Sequence, residues 1–124
     1  MDAIVLKSTP ITPLIIFDPK MERLEIKGVS IPENSINFYK PLLECLDAYA
    51  LGPVSSVVAH IQLDYFNTAS SKSILDVLRR LKVLHDKGFN VTINWYYEEA
   101  DEDMREVGEN YQLIVSLPFN MRTN

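Results

Sequence analysis

The chain has 124 residues, 47% of them hydrophobic and 23% charged, with a formal charge of −5. That length suits one globular domain spanning 1–124, since about 65% of the unfolded surface can be buried at this size. One cysteine, Cys45, excludes an internal disulfide framework, and no run nears the ~20 apolar residues of a membrane span.

The acidic balance also argues against nucleic-acid binding, because counterion release needs Lys and Arg gathered on one surface. Here the densest basic cluster is only Arg79, Arg80 and Lys82. The start, "MDAIVLKSTPITP", has no basic segment leading into an apolar one, so no signal peptide is expected. A soluble cytoplasmic protein without membrane insertion is the expectation.

In chain order, "LIIF" at 14–17 predicts a short strand, and "DPK" at 18–20 a turn. "MERLEIKG" alternates, with Leu24 and Ile26 opposite Arg23, Glu25 and Lys27, which predicts the second strand of a hairpin. Tyr39, Leu42, Leu43, Leu46, Tyr49 and Ala50 then recur at helical spacing. Asn34 or Ser35 can cap that helix and Gly52-Pro53 can end it, while Pro41 predicts a kink or a restart after one turn.

"SSVVAHIQLDYF" alternates again, placing Val57, Ala59, Ile61, Leu63 and Tyr65 on one face. Residues 70–87 predict the longest helix, with Ile74, Leu75, Leu78, Leu81 and Leu84 inward and Gly88 as a left-handed terminator. "FNVTINWYYE" predicts a fourth strand, Trp95 and Tyr97 inward and Tyr96 outward. "ADEDMREVGENYQLIVSLPF" predicts a short acidic helix followed by an extended tail. The order is β-β-α-β-α-β-α. It implies a two-layer α/β sandwich with a mixed four-stranded sheet, helices on one face and the other face largely exposed.

The chemistry concentrates at one strand-to-helix corner, "YFNTASSKSILDVLRRL", where Thr68, Ser70, Ser71 and Ser73 crowd the start of a helix. A helix start needs one cap, so Thr68 or Ser70 as N-cap accounts for a single hydroxyl, worth about 1 kcal/mol. Free N–H groups and the positive end of the helix dipole also make such a corner a stabilising place for a phosphate. The acidic run 98–106 reads as a solvated helix start or a docking surface; it lacks the spacing of a calcium loop. No nucleophile elbow, Walker loop, dinucleotide fingerprint or zinc signature is present, so no catalytic residue, metal or cofactor is assigned.

The blocks "IPENSINFYKPLLECLDAY", "LDYFNTASSKSILDVLRRL" and "GFNVTINWYYEEADEDMREVGE", with the closing "LPF", resemble the SiaC-type regulatory phosphoproteins of bacteria over residues 12–120. The resemblance leaves the first dozen residues unmatched. It implies a non-enzymatic switch in which the threonine of the "FNT" block, here Thr68, is phosphorylated by a partner protein kinase and cleared by a PP2C-type phosphatase. The unmodified form would bind and activate a diguanylate cyclase and so promote cyclic-di-GMP synthesis. Tyr65, Phe66, Asn67, Ser70, Ser71 and Lys72, flanking Thr68, are then the candidate partner contacts. A weaker architectural similarity is to the STAS anti-sigma factor antagonists.

Two rival readings remain: an interaction module without a switch, and a small hydrolase built on the 60–71 region. The second is poorly served by its best pair, because His60 and Asp64 lie about 13 Å apart along an extended strand. The open sheet face is available either to an effector or to a second copy of the chain.

Overall fold

The structure, a computed structural model, describes residues 1–124. Its strands are β1 (Ile4–Leu6), β2 (Leu14–Asp18), β3 (Arg23–Ser30), β4 (Ser56–Phe66), β5 (Asn90–Tyr97) and β6 (Phe119–Thr123). Its helices are α1 (Ser35–Leu51), α2 (Thr68–Asp86) and α3 (Glu102–Val115). The six strands lie in one sheet in sequential order, β1 to β6. β1–β2 and β2–β3 pair antiparallel; β3–β4, β4–β5 and β5–β6 pair parallel.

The expected four-stranded sheet is therefore wrong in number and in order: the chain runs β-β-β-α-β-α-β-α-β. Both missing strands are edges. β1 has three residues, too few to show an alternation, and β6 occupies the stretch expected to be an extended tail. Each edge strand gains its ladder bonds from a single neighbour, so its own sequence carries little of the signal.

Three successive parallel crossovers in one direction place all three helices on the same face, because each crossover is right-handed. The alternation of each strand selects which side chains meet them. Phe17, Leu24, Ile26, Ala59, Ile61 and Trp95 belong to a contiguous core with Leu42 and Leu46 of α1, Ile74 and Leu78 of α2, and Tyr111 of α3. Burying each large apolar side chain contributes about 1.5–3 kcal/mol. The opposite face is mixed and carries polar pairs: His60 Nδ1 lies 2.9 Å from Tyr96 Oη, and Arg122 Nε donates to Asn94 Oδ1 at 2.9 Å.

The helix ends follow from local chemistry. Asn34 caps α1 by accepting from the Asn37 N–H at 3.1 Å, as expected. Pro41 neither splits nor restarts α1, which runs from Ser35 to Leu51. Pro41 is exposed, so the Asn37 carbonyl that loses its helical donor is left to solvent instead of being stranded in the core. α2 ends in a Schellman motif, in which Phe89 N–H bonds the Leu84 carbonyl and Gly88 N–H the His85 carbonyl. Gly88 has φ +98°, the left-handed region expected of it. α3 starts on Asp101, which accepts from the Met104 N–H at 3.0 Å, with Glu102 and Asp103 favourable in the first turn.

Candidate functional site

The corner between β4 and α2 is held from both sides. Asn67 Oδ1 accepts from the Ser70 N–H at 2.8 Å, and the Asn67 carbonyl accepts from the Ser71 N–H at 2.9 Å. The Asn67 N–H donates to the Ser30 carbonyl at the end of β3 at 3.2 Å. Asn67 is thus the N-cap, and the expectation that Thr68 or Ser70 would cap is corrected: Thr68 is already the first helical residue.

The four hydroxyls then separate by fate. Ser70 is fully buried and accepts from Ser30 Oγ at 2.8 Å, while Ser30 Oγ also meets Tyr39 Oη at 2.7 Å. Ser73 Oγ pairs with Ser35 Oγ of α1 at 2.8 Å. Ser71 receives Tyr111 of α3, whose hydroxyl donates to the Ser71 carbonyl at 2.8 Å and lies 3.1 Å from Ser71 Oγ. Burial pushes the Tyr39 phenol up to about 12 and raises Tyr111 as well, so both stay protonated and can donate. Three of the four hydroxyls therefore fasten the first turns of α2 to α1, β3 and α3. Thr68 alone is exposed.

Among the expected partner contacts, Tyr65 and Lys72 are exposed, and Phe66, Asn67 and Ser71 are half-buried. Ser70 is withdrawn from that set, since its oxygen is consumed inside the core. Tyr65 also departs from its expected inward position and is 59% exposed. It lies beyond the last core residue of β4, past a register shift between Gly28 and Val29 of β3.

Two clefts flank the corner. One, about 690 Å³, lies between the starts of α1 and α2 and is lined by Glu33, Ile36, Thr68, Lys72 and Asp76 among others. The other, about 380 Å³, lies between the end of β4 and the first turns of α3, lined by Asp64, Tyr65, Phe66 and Asp103 among others. Ile36 is 77% exposed at the mouth of the first.

The residues of the hydrolase reading do not converge. His60 sits on the open sheet face, 3.4 Å from Arg23 Nη1 and 2.9 Å from Tyr96 Oη, whereas Asp64 lines the second cleft. Cys45 is half-buried on α1, and burial raises its thiol above the ordinary value. No three His, Cys, Asp or Glu side chains gather as metal ligands. No helix is long and apolar enough to cross a membrane.

A protein-family model, described as the SiaC family regulatory phosphoprotein, matches residues 6–124. The chain belongs to the SiaC family. The match takes in part of the first dozen residues, which the four sequence blocks had left out, and it reaches β6. Solved SiaC of Pseudomonas aeruginosa has the same fold, with a TM-score of 0.92, 27% identity and full coverage of both chains. A crystal structure of the diguanylate cyclase SiaD in complex with its activator SiaC, also from that organism, matches at TM-score 0.92 and 27% identity, over 98% of this chain and 99% of that one. An uncharacterized protein of Pseudomonas aeruginosa strain UCBPP-PA14 is 27% identical over all of this chain and 98% of its own length.

Within this SiaC-family chain, Ser30, Ser35, Tyr39 and Tyr111 support the corner but carry no local signal in the sequence. Ser30, Ser35 and Tyr111 meet the hydroxyl run from 38 to 40 positions away, and Tyr39 reaches it through Ser30. The one legible hint was the excess of hydroxyls itself, which required partners that the run could not supply.

Proposed function

We propose that this chain is a partner-switching regulator. Its unmodified form binds and activates a diguanylate cyclase, and phosphorylation of Thr68 ends that contact. A dedicated kinase and a PP2C-type phosphatase would set the balance, in the cytoplasm where nucleotide substrates are available. The observation that carries the reading is that, in a family of regulatory phosphoproteins, Thr68 is the one exposed hydroxyl of a run whose other members are engaged. The complex of SiaC with SiaD, formed by a protein of the same fold, supports the choice of partner.

The physics of the switch is desolvation and charge. Unmodified, the corner presents a neutral hydroxyl between two exposed apolar side chains, Ile36 and Tyr65. Phosphorylation adds a charge of about −1.5 to −2 and three strong acceptors. A partner surface made for the neutral corner must then dehydrate a dianion. Each ~1.4 kcal/mol lost weakens binding tenfold, so a few broken contacts suffice. The fold itself is spared, because a negative group at a helix start is favourable by about 0.3–1 kcal/mol.

Intact-mass measurement of the chain isolated from its own cells, before and after PP2C-type phosphatase treatment, tests the modification. The expected result is loss of one phosphoryl group, absent in Thr68→Ala. Titration of the unmodified chain into the cognate cyclase, reading cyclic-di-GMP formation, tests the output. An unphosphorylated protein in every growth condition would leave an interaction module without a switch. Cyclase activity indifferent to the chain would remove the partner.

A further inference from the structure

We infer that Lys72 holds the phosphoryl group once Thr68 carries it, making Lys72 the positioning residue of the modified state. This rests on the phospho-switch reading above. Lys72 and Thr68 stand four residues apart on α2, so they share one face of the helix about 6 Å apart along its axis. Helical side chains lean toward the N-terminus, which tips Lys72 toward Thr68. Both residues line the same cleft between the starts of α1 and α2, and Lys72 is the only cation in its lining.

Lys72 is also unclaimed. None of the five ion pairs in the molecule includes it, although Asp76 stands four residues further along. The same spacing does close between Lys82 and Asp86, at 3.2 Å. An open Lys72–Asp76 pair therefore does not follow from spacing alone. The unmodified chain thus keeps a free ammonium one turn from a neutral hydroxyl, where nothing yet calls for it.

The other charges lining the cleft are the carboxylates of Asp76 and Glu33. Asp76 is eight residues from Thr68, about 12 Å along α2, twice as far as Lys72. Glu33 faces the cleft from the approach to α1, outside α2. An exposed pair at 12 Å is largely screened at physiological salt, where the Debye length is about 8 Å. Of the charges on α2 that line the cleft, the nearer ammonium therefore dominates at the phosphoryl group. The free N–H groups of the α2 start add to it without being the discriminating element.

The consequence is regulatory. A phosphoryl group paired to Lys72 lies along α2 over the cleft, where it covers the surface that a partner of the unmodified form would use. The same pairing makes the phosphothreonine a poorer substrate for its phosphatase, because the ion pair must open first.

The test is a ³¹P NMR pH titration of the full chain phosphorylated on Thr68 by its kinase, compared with Lys72→Gln, Lys72→Arg and the distant control Lys82→Gln. The second ionisation of a phosphate ester falls near pH 6. Pairing with an ammonium favours the dianion, so the wild-type midpoint should lie lower. Lys72→Gln should raise it by about half a unit, the size of an exposed ion pair. Lys72→Arg should restore the wild-type value, and Lys82→Gln should leave it unmoved. The difference should shrink at 1 M salt, and the phosphatase should clear Lys72→Gln faster than wild type. Matching midpoints in Lys72→Gln and wild type would overturn the inference. A chain that takes up no phosphate at Thr68 would overturn the underlying reading instead, and mass measurement separates the two.

Discussion

Ser70→Ala and Thr68→Ala remove hydroxyls two residues apart, and the structure predicts opposite consequences. Ser30 Oγ, Ser70 Oγ and Tyr39 Oη form a chain with links of 2.8 and 2.7 Å, and all three side chains are fully buried. Without Ser70 Oγ, Ser30 and Tyr39 can still bond each other, but one of their two protons loses its acceptor in a space closed to water. Leaving one buried donor unsatisfied costs about 1–3 kcal/mol. A chain of this length has a total stability of roughly 6–18 kcal/mol, so the loss is a measurable fraction. Thr68 is exposed and is not the cap of α2, so its truncation should stay within about 0.5 kcal/mol of wild type. Urea unfolding followed by fluorescence suits the comparison, because Trp95 is the only tryptophan and is fully buried. With a denaturant slope of about 1–3 kcal/mol per molar, Ser70→Ala should lower the midpoint by on the order of 1 M. A Ser70→Ala midpoint equal to wild type, or a larger loss in Thr68→Ala, would refute the assignment of the hydroxyls to structure and surface.

Gly108→Ala should destabilise the chain by about 1–3 kcal/mol despite alanine's better helix propensity of about 1 kcal/mol, because overpacking opposes it. An added Cβ would stand 2.5 Å from Trp95 Cδ1 and 2.9 Å from Met121 Cε, and the indole is tethered by its N–H to the Met104 carbonyl at 3.0 Å. A raised melting temperature in that variant would contradict the close approach of α3 to β5. His60 supplies a pH dependence. Its pKa is lowered from 6.5 chiefly by burial, then by Arg23 and Arg122, with Glu25 opposing. The unfolded chain therefore binds the proton more readily, and stability should fall as pH drops below 6.5, down through the lower folded value. Melting temperatures of wild type and His60→Gln measured from pH 7.5 to 5 should converge on acidification, and a constant gap would speak against it.

Much of the architecture was readable without coordinates. α1 and α2 carry apolar residues at helical spacing over several turns, and β3, β4 and β5 alternate over eight or more residues. Period and length together suffice for such elements because each presents a whole face to the core. The strand-to-helix corner was visible for a related reason: an excess of hydroxyls beside a helix start breaks the local pattern, while the choice of Thr68 among them came from the family resemblance.

Tertiary structure alone decided the edges and the fate of each oxygen. β1 and β6 exist because β2 and β5 offer ladder partners, which no three- or five-residue window announces. Whether Ser70 faces a partner or the core depends on Ser30 and Tyr39, residues brought to it by the packing of α2 on β3 and α1. A side chain's identity determines what bonds it can make. Its neighbours across the sheet determine which of those bonds it does make, and hence that Thr68 is the one hydroxyl of the run left exposed.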